Sequence, residues 1–147
     1  MLQQTHLNGR NEVPVDPTVT GNVGDRDGTG QAYVFGIDGD PTTLCYVLTV
    51  ENIAPATGAH IHEGRRRENG PIVANLAAPA DGNAADCLTE GELNTTAPFA
   101  PKFPTDAQGV PLSSVAEILA NPRDYYVNVH NAEFPTGAIR GQLRLQS

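Results

Sequence analysis

Nowhere in the 147 residues does an apolar run approach the roughly 18 needed to cross a bilayer, so no membrane-spanning helix is expected. Positive charge is scarce: nine Lys and Arg, only one of them Lys, stand against 17 Asp and Glu. A net charge of −8 repels phosphate, and no nucleic-acid partner is expected. The opening Met1-Leu2-Gln3-Gln4 has neither a basic n-region nor an apolar h-region, which suits a cytoplasmic protein or a mature form whose leader has been removed. Long helices are excluded by 15 Gly and 12 Pro, because the first weakens a helix interior and the second breaks it. A nucleophile turn of the Gly-x-Ser-x-Gly kind is missing, which removes a Ser/His/Asp triad. Asp25-x-Asp27-Gly28 and Asp38-x-Asp40 complete no EF-hand loop and read as turns.

Cysteine is reduced to Cys45, in an apolar run, and Cys87, in a polar Gly/Ala/Asp-rich stretch. Two readings stand: a disulfide closing a loop of roughly 40 residues and adding about 4 kcal/mol, or two unrelated thiols. A bridge, the single Lys, the acidic balance and the glycosylation-type triplet Asn94-Thr95-Thr96 together suit a secreted, periplasmic or extracellular setting.

What is present is period-two alternation over one domain's length, residues 1–147. In Leu44-Cys45-Tyr46-Val47-Leu48-Thr49-Val50, the residues Leu44, Tyr46, Leu48 and Val50 share one face. Gln31 to Ile37, Ala59 to His62, Pro71 to Leu76, Tyr125 to His130 and Ala138 to Leu145 alternate likewise, with turn residues between them. The pattern predicts an all-β fold, an antiparallel β-sandwich or barrel, with one short helix. That helix carries Leu112, Val115, Ile118 and Leu119 at helical spacing, begins at the capping box Ser114-x-x-Glu117 and ends at Asn121-Pro122. Ala77 to Pro111 lacks periodicity and reads as a long functional or mobile connection.

His60-Ile61-His62 lies on a predicted strand, where residues two apart face the same way, so both imidazoles can reach one metal ion while Ile61 faces the core. His130 ends a strand in which Tyr125, Val127 and Val129 take one face, leaving Asn128 and His130 on the other. His6 lies on the first strand, between Thr5 and Leu7, and is a fourth candidate ligand. Three or four imidazoles without thiolates suit copper or zinc, whereas calcium and magnesium want oxygen ligands; copper is the ion expected, with zinc competing for the same ligands. The bland alternative is a set of histidines that serve only as polar surface or structural residues. Arg65-Arg66-Arg67 follows the histidine strand closely; it reads as a solvated hairpin tip or as a patch that draws small anions toward the histidines.

Leu7-Asn8-Gly9-Arg10-Asn11-Glu12-Val13-Pro14, Ala59-His60-Ile61-His62-Glu63-Gly64, and Tyr126-Val127-Asn128-Val129-His130 followed by Pro135-x-Gly137-x-Ile139-Arg140-Gly141-Gln142-Leu143 resemble, in order, the chordin-type (CHRD) domain over nearly the whole chain. The resemblance implies an extracytoplasmic β-rich domain with a shared role for the histidines. Asn8, Val15, Asn131 and Ala138 depart from the usual pattern without touching the histidines. A narrower set of residues is similar to copper/zinc superoxide dismutases, whose β-sandwich has an H-x-H pair of copper ligands, a later histidine and an arginine beside the metal. That likeness implies a Greek-key-like barrel or sandwich, His60, His62 and His130 as ligands and a catalytic role for Arg140, with a small anion or dioxygen species as partner. The zinc loop of that family is lacking here, so the likeness implies a copper-only site. Two functions are carried forward: a copper protein, either a carrier or a superoxide-handling redox site, and a non-enzymatic binding or matrix module with structural histidines.

Overall fold

Residues 2–146 are described by the computed structural model. The alternating segments become strands β1 (Leu2–Asn8), β2 (Thr29–Ile37), β3 (Asp40–Glu51), β4 (Ala56–Glu63), β5 (Ile72–Leu76), β7 (Tyr125–Asn131) and β8 (Ile139–Gln142), with the short β9 (Arg144–Leu145) after Leu143. With β6 (Asn83–Thr89) they join in one antiparallel sheet of order β5-β4-β7-β8-β1-β2-β3-β6, with β9 against β1, which curls into a near-closed barrel. The expected all-β fold is therefore a barrel rather than two separate sheets. Its interior is filled from alternate positions: Leu7, Ala32, Val34, Leu44, Tyr46, Leu48, Ala59, Ile61, Val127, Val129 and Ile139 form one buried cluster. Burial of such aliphatic side chains is worth roughly 1.5–3 kcal/mol each before chain entropy is set against it.

Strand β6 (Asn83–Thr89) lies inside the stretch expected to be a long connection. Only Leu88 of its residues is fully buried, because β6 is the last strand of the sheet and its outer positions meet solvent, so no alternation marks it. The chain beyond β6 turns back and covers the gap between the two edges. Asn75 of β5 donates its backbone N–H to the Lys102 carbonyl and its side-chain amide to the Pro101 carbonyl. Lys102 reaches Glu92 at 2.9 Å and Asp86 of β6 at 3.5 Å, while Phe103 is buried beneath. These contacts satisfy edge groups that would otherwise invite pairing with another chain.

The helix α1 (Val115–Ala120) has the expected capping box, with Ser114 and Glu117 bonding each other's backbone N–H. It is shorter than the sequence suggested, and Leu112 stands outside it, 45% exposed. Val115 and Ile118 are buried against the barrel, and the Gln3 amide donates to the carbonyls of Ile118 and Leu119 at the helix end. The aspartate turns are as expected: Asp25 and Asp40 accept from the backbone N–H groups two residues on.

Cys45 and Cys87 stand directly opposite in the β3–β6 ladder and are bridged. The bridge ties the edge strand to the barrel across a sequence separation of 42. A Cys45→Ala/Cys87→Ala variant is expected to lose about 3–4 kcal/mol and to melt roughly 10 °C lower. Alkylation of the unreduced protein followed by mass spectrometry should label neither thiol; label on both would disprove the bridge.

Candidate metal centre

Pairing of β4 with β7 puts Gly58 opposite His130, His60 opposite Asn128 and His62 opposite Tyr126. Directly opposed residues share a face, and the intervening Ala59, Ile61, Val127 and Val129 point into the barrel. The histidines therefore stand together on the outer face. One ring nitrogen from each of His60, His62 and His130 lies within 4.8 Å of the other two, close to the roughly 4 Å spread expected of ligand atoms about 2 Å from one ion. His60 packs edge-on against both partners, with ring centroids 5.6 Å from His62 and 4.9 Å from His130.

Hydrogen bonds decide which nitrogens are free. His62 Nδ1 is 2.9 Å from the Gly70 carbonyl and His130 Nδ1 is 3.1 Å from the Pro135 carbonyl. A carbonyl only accepts, so in each neutral ring Nδ1 carries the proton and Nε2 holds the lone pair. His130 Nε2 and His60 Nδ1 are buried with no partner at all. His62 Nε2 lies 2.9 Å from Asn128 Oδ1, and a ring already donating through Nδ1 cannot donate there as well. The Asn128 amide must turn over to complete that bond, or Nε2 is released to an ion. Such backbone-held Nδ1–H groups are the arrangement that orients imidazoles toward a metal.

Burial holds all three rings neutral. It lowers the pKa of His60 to about 4, with the charges of His130 and His62 adding to the effect. Burial also lowers His62, against its bonds to Gly70 and Asn128, and lowers His130 against its bond to Pro135. Neutral rings keep their lone pairs at physiological pH.

The wall of the site is the β4–β5 loop, residues 64–71, folded back over the outer face. Glycine is required at position 70, where a Cβ would strike the Glu63 carbonyl, and this close approach delivers the Gly70 carbonyl to His62. Tyr126 stacks on His62 with centroids 4.7 Å apart and planes 4° apart, and its hydroxyl accepts the Gly70 N–H. Arg140 lies over the same tyrosine, its guanidinium carbon 3.4 Å from the ring centre. Two groups cannot cover one ring face that closely, so Tyr126 stands between His62 and Arg140. The guanidinium donates to the Arg65 carbonyl at 2.9 Å, the Glu68 carbonyl at 2.7 Å and Asn69 Oδ1 at 3.2 Å. Arg140, 2% exposed, is thus a clamp on the loop, behind the tyrosine that backs the histidines.

The structure brings together three of the four histidines expected as ligands. His6 is exposed on β1, beyond β8 from β7, and among the described residues the clustered group is His60, His62 and His130. Arg65, Arg66 and Arg67 line a groove with Arg140 and His6 rather than facing the three histidines. Sequence reasoning assigned nothing to Tyr126, whose alternation with Asn128 and His130 already placed it on the histidine face, or to Glu12, whose burial no local pattern announces. A search of curated proteins finds no match. The model of the CHRD domain family matches residues 3–143, a span that holds the histidines, the clamp, strands β2 to β8 and all of β1 but Leu2, and the chain belongs to the CHRD domain family.

Proposed function

We propose that this domain binds one copper ion through His60, His62 and His130 and works outside the cytoplasm. The observation that carries the reading is the pair of buried, partnerless nitrogens, His60 Nδ1 and His130 Nε2, in a cluster where the rings of His62 and His130 are already oriented by backbone carbonyls. Leaving such atoms unpaired costs about 1–3 kcal/mol each, a cost a metal removes. Copper is favoured over zinc for an all-imidazole site by the general order of divalent affinities, with zinc competing for the same nitrogens. The Cys45–Cys87 bridge supports an oxidising compartment.

Bound copper would supply a one-electron couple, the chemistry needed to handle superoxide. A carrier or sequestering role is nevertheless the better reading, because Arg140 is stacked behind Tyr126 and spends its donors on the loop, so it offers no charge to an anion at the histidines. In this reading Arg140 is a positioning residue and His6 is not a ligand.

Copper(II) titration against a competing chelator, followed by spin resonance, tests the site. One copper per chain with nitrogen hyperfine structure is expected, and His60→Ala, His62→Ala and His130→Ala should each weaken binding by about 100-fold or more. His6→Ala should match the wild type. If all three cluster variants keep wild-type copper after dialysis, the assignment is wrong. Copper-loaded protein should remove superoxide no faster than free copper; a salt-sensitive rate near diffusion control would restore the dismutase reading.

A further inference from the structure

Seven of the nine cationic side chains of this acidic protein line one groove of about 1180 Å³ between the segment after β1, the β4–β5 loop and the end of the sheet. They are Arg10, the Arg65-Arg66-Arg67 triplet, Arg123, Arg140 and Arg144, and all but Arg140 are exposed. Two acidic residues share the lining, and together they offset only one of these cations. Asp124 is paired with Arg65 at 2.9 Å, and burial raises the pKa of Glu12 to about 8. Among the described residues Arg10, Arg66, Arg67, Arg123 and Arg144 make no ion pair. Arg26 and Lys102 are the only cations elsewhere, so the rest of the surface repels what the groove attracts. Unpaired like charges gathered in one concavity repel one another, and an anion relieves that repulsion.

We propose that this groove binds a segment of acidic polysaccharide through its carboxylate or sulfate groups. Planar guanidinium forks match both groups bidentately, which the single-point ammonium of lysine does not. Charge spread over a groove of this size suits a chain bearing several anionic groups rather than one small ion. A nucleic acid is the weaker occupant, because no Phe, Tyr or Trp lines the groove to stack a base and the surrounding surface is acidic. The site is separate from the histidine cluster and stands whether or not copper binds.

The test is titration of the full chain with fluorescently labelled heparin-type and galacturonate oligosaccharides at two salt concentrations, beside neutral dextran and an oligothymidylate of matched charge. Binding of at least one acidic glycan, weakening with salt, is expected, with no binding of dextran. An Arg66→Ser/Arg67→Asn/Arg144→Ser variant should lose roughly tenfold or more in affinity, since three exposed ion pairs are removed. Asn is chosen at position 67 because its φ of 68° is one that Asn tolerates. Arg10→Ser alone should weaken binding, while Arg26→Ser, outside the groove, should leave it unchanged. Unchanged melting of the variants excludes misfolding as the cause. Comparison of the two glycans tells which anionic group is read. The proposal is overturned if neither acidic glycan binds, if the triple variant binds like the wild type, or if the oligothymidylate binds as tightly as the glycans.

Discussion

Glu12→Gln should stabilise the protein at pH 8.5 by up to about 5 kcal/mol, raising its melting midpoint by up to about 15 °C, while changing little at pH 4. Glu12 is 7% exposed, its Oε2 has no hydrogen-bond partner, and its carboxyl group lies against Gly137. Glycine is needed there, both for its φ of +137° and because a Cβ would enter the space of the carboxylate. Burial raises the pKa from 4.5 to about 8, and the charge of Arg140 only partly opposes it. Between those two values the unfolded chain has released the proton while the folded chain still holds it. The unfolded state therefore binds fewer protons, and stability falls as pH rises through that window, levelling off above about pH 8. An amide cannot ionise, so the variant should lose this slope. The histidines contribute their own pH dependence, in the opposite sense and at lower pH, but equally in both proteins. Urea unfolding at half-unit steps from pH 4 to 9 provides the comparison, and identical slopes for wild type and variant would mean that Glu12 is not held protonated.

Arg140→Met is expected to cost about 3–5 kcal/mol and, although Arg140 touches no histidine, to weaken copper binding by about 10–100-fold. The methionine keeps apolar bulk over Tyr126 but donates nothing. The carbonyls of Arg65 and Glu68 and the Asn69 side chain then lose their buried donor. The loop that carries them is also the one that presents Gly70, whose carbonyl fixes the tautomer of His62 and whose N–H holds the Tyr126 hydroxyl. Loosening it should release Nδ1 of His62 and the stacked tyrosine together. Because three successive arginines lie in that loop, trypsin reports its opening directly: cleavage after Arg65, Arg66 or Arg67 should be much faster in the variant than in the wild type. Equal cleavage rates, with copper affinity unchanged, would show that the loop stays in place without the clamp. A drop in copper affinity without faster cleavage would point instead to a direct electrostatic effect of Arg140 on the histidines.

Local pattern determined much of the barrel. Alternation of apolar and polar residues is a property of the chain itself, so Leu44, Tyr46 and Leu48 inside, Ile61 between two outward histidines, and Val127 and Val129 opposite Asn128 and His130 were all legible before any contact was known. The capping box was legible for the same reason, since Ser114 and Glu117 satisfy backbone groups within one turn. β6 was not, because an edge strand buries too little to leave a pattern, and its identity came from pairing with β3. Register likewise lay outside the sequence: only the β4–β7 ladder brings His130 to His60 and His62 while leaving His6 beyond β8. The arginines show the limit most plainly. Proximity in sequence placed Arg65-Arg66-Arg67 beside the histidines, yet the loop folds back across the sheet and turns them to the other side of Tyr126, where they join Arg10, Arg123 and Arg144 from distant segments. Charge and side-chain periodicity are local and can be read along a chain, whereas a metal site or an anion groove is made of residues far apart in sequence, and only packing of the strands and the Arg140 clamp decided which of them meet.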